Sequence, residues 1–177
     1  DQGADLVVAS YAPNRNWQGK NLVQLAAQER CTAVEIVLQM ERNGGAQMVS
    51  FSINEAEVRL IMQQPFVATA SDGGAQPLKA QTQPHPRNYG CFPRKIGRYA
   101  LRGQTVTLAQ AIRSCSGLPA DILGLPDRGY LRPGQWADLV LLAPNTYIDT
   151  ATYREPHQYA TGVRYLFVNG TLAISQG

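Results

Sequence analysis

A chain of 177 residues that is 44% hydrophobic and 16% charged has the composition of about one globular domain, which excludes collagen, coiled coil and extended disorder. Sixteen Lys and Arg against 13 Asp and Glu leave a net charge of +3, with most of the excess at Arg87–Arg102, too little for a dedicated nucleic-acid binder. No apolar run approaches the roughly 18 residues that a membrane span needs, so neither nucleic acid nor membrane is an expected partner.

The first residues, Asp1-Gln2-Gly3-Ala4-Asp5, carry neither the basic region nor the apolar core of a signal peptide, and the lack of an initiator Met suggests a piece of something longer. Leu6–Ser10 is a strand-sized apolar run feeding the polar loop Pro13–Asn16. Asn21 with Gln24, and Thr32 with Glu35, are capping-box pairs that open helices over Leu22–Arg30 and Ala33–Arg42. In the second of these, Val34, Val37, Leu38 and Glu41 recur at helical spacing until Gly44-Gly45.

Gln47–Phe51 reads as a strand. Asn54 with Glu57 caps a helix over Glu55–Gln64, with Val58, Ile61 and Met62 facing inward until Pro65. Phe66–Ala70 reads as a further buried strand, and the alternation of strand and helix favours parallel βα units. The Gly-, Gln- and Pro-rich stretch Gly73–Arg87 is a long loop, and long loops in compact domains tend to be functional.

Tyr89–Leu101 reads as a basic helix broken by Pro93, and Thr107 with Gln110 caps a helix that ends at Gly117-Leu118-Pro119. Past Gly124 the pattern turns to strands: Ala137–Ala143, then Arg164–Val168 and Thr171–Ile174 around the type I′ turn signal Asn169-Gly170.

Chemistry concentrates around the long loop. Asp72 follows the Phe66–Ala70 run; Asp-Gly is ordinary turn chemistry, but at the carboxyl end of a barrel strand an Asp serves as ligand or base. His85-Pro86-Arg87 holds a His and an Arg on either side of a rigid Pro, and Arg pairs bidentately with carboxylates. Arg94, Lys95, Arg98 and Arg102 read as a solvated basic face, and His157 as a surface or packing residue. Three cysteines (Cys31, Cys91, Cys115) without a Cys-x-x-Cys suggest small buried hydrophobes in a reducing compartment. With His85 and His157 as the only histidines, the chain cannot assemble a complete zinc site by itself.

Ser71-Asp72-Gly73, then the run His85-Pro86-Arg87-Asn88-Tyr89-Gly90-Cys91-Phe92-Pro93-Arg94, then Ser116–Ala120 and Leu123–Leu125, resemble the C-terminal half of the N-acyl-D-amino-acid deacylases (D-aminoacylases) of the amidohydrolase superfamily. Gly129–Val140 and the Tyr165–Gly170 hairpin resemble segments found throughout that superfamily, and Met48–Phe51 with Asn54-Glu55 resembles the strand and helix before its last barrel strand.

The resemblance implies an α/β fold: the C-terminal βα units of a TIM (β/α)₈ metal-dependent hydrolase barrel over residues 1–122, and strands of a small composite β-sandwich over 123–177. It implies zinc-dependent hydrolysis of the linear amide of N-acyl-D-amino acids. Asp72 stands where the family's last-strand aspartate faces the zinc and shuttles the proton, so it is expected as both metal ligand and catalytic acid/base. His85 and Arg87 match the family's His-Pro-Arg motif and are expected at the substrate. Ser50 and Ile53 lie in the segment that contributes to the D-side-chain pocket, at positions where larger residues are common in the family.

A whole TIM barrel takes about 250 residues. The remaining zinc ligands are therefore expected outside this chain, in an N-terminal portion of the same enzyme without which the chain is inactive. Two alternatives stand beside this reading: a cyclic-amide hydrolase of the dihydroorotase or hydantoinase kind, and a non-catalytic binding paralogue.

Overall fold

A computed structural model describes residues 3–78 and 84–177. It is a mixed α/β structure of two compact units, one formed by 3–53 with 76–78 and 84–85, the other by 54–75 with 86–177. Among the described residues no helix is long and apolar enough to cross a membrane.

In the first unit, β1 (Leu6–Ser10) and β2 (Gln47–Ser50) flank helices α1 (Leu22–Glu29) and α2 (Ala33–Arg42). Both capping boxes form as the spacing predicts: Gln24 N donates to Asn21 Oδ1 at 2.8 Å, and Glu35 N to Thr32 Oγ1 at 3.2 Å. A short 3₁₀ turn at Arg15–Trp17 brings Trp17 flat onto Tyr11, ring centroids 5.0 Å apart. These rings join Val8, Leu22, Leu25, Ile36 and Met40 in the core.

One expectation changes here. β1 and β2 pair antiparallel, Leu6 opposite Ser50 and Val8 opposite Met48, where parallel units were expected. On α2 the inward face is Ile36 and Met40; Val34, Val37 and Leu38 are exposed. Apolar residues occupy both sides of this helix, and periodicity alone does not say which side the core takes. Val34 and Val37 line a groove of about 670 Å³ together with Val23 and Ala26.

The second unit begins with α3 (Glu55–Met62), whose Asn54 cap accepts from Ala56 N. Met62 packs on the second core, of Ile96, Ala100, Val106, Ala111 and Tyr147, while Ile61 stays outside. Of the expected strand Phe66–Ala70, Phe66 lies in a turn closed by Val67 N to Gln64 O and is 72% exposed, and among the described residues the segment belongs to no ladder. A strand exists only through the backbone groups of a neighbour; here Thr69 N donates to Ser114 O at 2.8 Å, and no ladder follows.

Helix α4 (Arg87–Arg94) runs through Pro93 and on into wider π-helical turns over Lys95–Arg102. Pro93 supplies no N–H, and the helix widens past it instead of breaking. Then come α5 (Leu108–Cys115), with the Thr107 capping box, and α6 (Gly117–Leu123). The sequence reading has the chain leave the helix at Gly117-Leu118-Pro119; a Pro in a first turn is compatible with a new helix.

Strands β3 (Leu139–Leu142), β4 (Val163–Val168) and β5 (Thr171–Ser175) form an antiparallel sheet in that order. Asn169 and Gly170 both have positive φ, 51° and 79°, as a type I′ turn requires. Asp138 holds this turn through Asn169 N at 2.7 Å and pairs with Arg128.

Candidate active site

Past Ala70 the chain is irregular. Asp72 has φ 47°, in the left-handed region that Asp tolerates better than most residues, and Gly73 N donates to Ser71 Oγ at 3.2 Å. The Asp72 carboxylate is 85% exposed, and its Oδ2 lies 2.8 Å from Arg87 Nη2. Arg87 is the first residue of α4, entered through Pro86 with φ −53°. The loop thus brings two of the sequence-predicted site residues into one ion pair.

The other three belong to the first unit. Ser50 closes β2 opposite Leu6, exposed, its hydroxyl donating to Ser52 Oγ at 3.2 Å. Ile53 is 77% exposed, and His85 is half-buried.

Ahead of Asp72 in the chain, α4 and α5 contact Thr69 and Ala70. Cys91 Sγ lies 3.6 Å from Ala70 O, and Thr69 Oγ1 donates to Ser114 Oγ at 3.3 Å. Burial, together with mutual repulsion for Cys91, pushes the Cys91 and Cys115 thiols above their ordinary pKa. Lys95, beside them, is buried, and burial pulls its ammonium below the usual lysine value. These thiols are neutral packing groups at pH 7.

The basic residues expected as a solvated face are spoken for. Arg94 Nη1 and Arg98 Nε donate to the two oxygens of Asp149, at 2.9 and 2.7 Å, and the Asp149 side chain is buried. Burial opposes the charge of Arg94, but the hydrogen bond and charge of Asp149, with those of Tyr99, hold it above the usual guanidinium value. Arg102 donates to the carbonyls of Gly97, Tyr147 and Asn145. Sequence reading did not find Asp149, because an isolated Asp in Tyr147-Ile148-Asp149 carries no local signal of a partner more than 50 residues away. His157 packs, as expected, its Nδ1 3.2 Å from Tyr89 Oη.

Among the described residues no three His, Cys, Asp or Glu stand together as a metal site requires. The exposed Asp72 carboxylate is an anionic oxygen donor, paired with Arg87.

The chain is similar to known proteins along most of its length. The sequence model of the Amidohydrolase family matches residues 11–174. The chain is 34% identical over 176 residues to the N-acyl-D-glutamate deacylase of Alcaligenes xylosoxydans xylosoxydans, covering 99% of this chain and 35% of that protein. It is also 34% identical over 164 residues to the D-aminoacylase of the same organism, covering 93% and 32%. Among solved structures, the N-acyl-D-glutamate deacylase of Bordetella bronchiseptica, complexed with zinc and a phosphonate mimic of the tetrahedral intermediate, superposes with a TM-score of 0.86 at 33% identity, covering 96% of this chain and 34% of that one. A D-aminoacylase described as having a binuclear metal centre superposes with a TM-score of 0.85 at 29% identity, over the same shares of each chain. The chain spans about a third of the length of the curated relatives it matches. From Tyr11 to Ile174 this chain belongs to the Amidohydrolase family.

Proposed function

We propose that the chain is the C-terminal portion of a zinc-dependent amidohydrolase that cleaves the linear amide of N-acyl-D-amino acids into a carboxylate and a D-amino acid. Residues 1–122 would supply C-terminal βα units of a TIM barrel and 123–177 strands of its β-sandwich. The observation that carries this reading is the Asp72–Arg87 pair: a carboxylate on a residue with left-handed backbone and a guanidinium at a helix start, 2.8 Å apart, in a chain similar to deacylases throughout its length.

Zinc, when bound, polarises the acyl carbonyl and acidifies water. Asp72 contributes one carboxylate to the metal, whose other ligands come from outside this chain. The same carboxylate takes a proton from the attacking water and delivers it to the nitrogen of the leaving amine. Arg87, a forked donor, holds the substrate carboxylate, with His85 beside the substrate. Ser50 and Ile53 border the pocket for the D-side chain, where their small and apolar groups leave room.

The exposed apolar residues Val34, Leu60, Ile61 and Phe66 fit contact with the remaining portion of the enzyme. Alone, the chain would have no activity.

The test is an assay of the complete zinc-loaded enzyme on N-acetyl-D-amino acids, their L-enantiomers and cyclic amides. Release of free D-amino acid with little turnover of the others is expected. Turnover confined to cyclic amides would place the enzyme with ring hydrolases, and stoichiometric zinc without hydrolysis of any of these would make it a binding paralogue.

A further inference from the structure

We infer that Asp149 is a positioning residue for Arg87, setting through α4 where the guanidinium meets Asp72 and the substrate; the inference rests on the role proposed for Arg87 above. It starts from the strap that follows β3. Residues 145–149 run antiparallel to α4 and its π-helical continuation, touching it at every turn. Arg102 Nη2 donates to Asn145 O at 3.1 Å and Arg102 Nη1 to Tyr147 O at 2.9 Å. At Gly97 a Cβ would collide with the Tyr147 carbonyl, and at Gly90 it would stand 2.9 Å from Asp149 Cβ. Each of these two glycines is the absence of a side chain where the strap comes closest.

Asp149 is the one charged group of the strap on this contact. Its side chain is 3% exposed, and its two oxygens are taken separately, Oδ2 by Arg94 Nη1 and Oδ1 by Arg98 Nε. Two arginines four residues apart, bound to opposite oxygens of one buried carboxylate, fix both the rotation of the helix and its position along the axis. A hydrophobic contact would fix neither so sharply, since apolar surfaces slide at little cost.

Arg87 lies one turn ahead of Gly90, where the helix touches Asp149 itself. Tyr89, two residues after Arg87, closes the same end against His157 and edge-on against Tyr159. A shift of the helix by a fraction of a turn therefore carries Arg87 away from Asp72, and displacements of about 1 Å in a substrate clamp cost up to about 100-fold in rate.

A structural residue and a positioning residue both lose activity when altered, and a double-mutant cycle separates them. If Asp149 acts by placing Arg87, its loss ceases to matter once Arg87 is gone; if it only supports the fold, the two losses multiply. The variants Asp149→Asn, Arg87→Ala and their combination are made in the complete zinc-loaded enzyme, with melting temperature and zinc content recorded. The expected result is a KM for N-acetyl-D-amino acids raised about tenfold by Asp149→Asn with kcat changed less, and under twofold further loss when it is added to Arg87→Ala. Multiplying losses, or unchanged kinetics in Asp149→Asn, overturn the inference. Unchanged kinetics in Arg87→Ala overturn the earlier reading of Arg87 instead. Should Asp149→Asn not fold, Arg98→Gln, half-exposed at the side chain, takes its place: a KM increase of about threefold that vanishes in the Arg87→Ala background supports the inference, and an additive or absent effect overturns it.

Discussion

Arg87 Nη2 lies 2.8 Å from Asp72 Oδ2, joining the first residue of α4 to the carboxylate that follows the Phe66–Ala70 segment. Both side chains are open to solvent, Asp72 at 85% and Arg87 at 41%. Exposed ion pairs contribute at most about 1 kcal/mol to stability. Fold stability is therefore a weak reason for this pair, and a site where both groups must reach a ligand is a stronger one.

Replacing Arg87 by Ala in the complete enzyme should leave its melting temperature within about 2 °C, because the pair is exposed. It should raise KM for N-acyl-D-amino acids about tenfold or more, the cost of one lost charge-assisted hydrogen bond to a carboxylate. Steady-state kinetics beside a thermal melt check both halves. A large loss of stability with unchanged KM would make Arg87 a structural residue.

Lys95 is buried against Cys91 and Cys115, and among the described residues no carboxylate lies within ion-pair distance of it. Burial lowers its pKa in the folded state, so the unfolded chain binds more protons than the folded one as pH rises toward the ordinary lysine value. Stability contributed at this position is thus poorest at neutral and acidic pH and improves on going alkaline. Lys95→Met should stabilise by about 1 kcal/mol at pH 7, and its advantage should shrink by pH 10. Denaturation of both proteins at the two pH values measures this; an advantage that grows with pH would reverse the sign.

Asp138 gives a slope of the same sign at the acid end of the pH scale. The Asn169 N–H, then the Arg128 side chain, hold its carboxyl below the ordinary aspartate value. A depressed folded pKa gives stability that is present above the unfolded value and lost as pH falls through it toward the folded one. Acid unfolding followed by the tryptophan fluorescence of Trp136, whose Nε1 donates to Asp127 Oδ2 at 2.7 Å, should begin at higher pH in Asp138→Asn than in the parent protein. Superimposable acid limbs would remove Asp138 from the turn's support.

The structure separates what local chemistry specifies from what distant partners decide. The capping boxes at Asn21, Thr32 and Thr107 and the Asn169-Gly170 hairpin all form, since each is settled within four residues. Phe66–Ala70 has the composition of a strand yet joins no ladder among the described residues, because strand formation needs a second chain segment and composition does not supply one. On α2 the apolar residues fit two faces, and only packing with Trp17 and Leu25 selects Ile36 and Met40. Asp72 and Arg87 were legible because turn chemistry and a family-like motif mark them. Asp149 was not, because its whole significance lies in Arg94 and Arg98, in another part of the chain.

The role of Asp72 is the claim on which the rest depends, and Asp72→Asn in the complete enzyme tests it most directly. Asn keeps the size and the turn but can neither carry the proton nor offer an anionic ligand. Turnover of N-acetyl-D-amino acids should fall by about 10²–10⁴-fold while the fold, read by circular dichroism, is unchanged. A kcat within threefold of the parent, with zinc content equal to the parent's, would contradict the account.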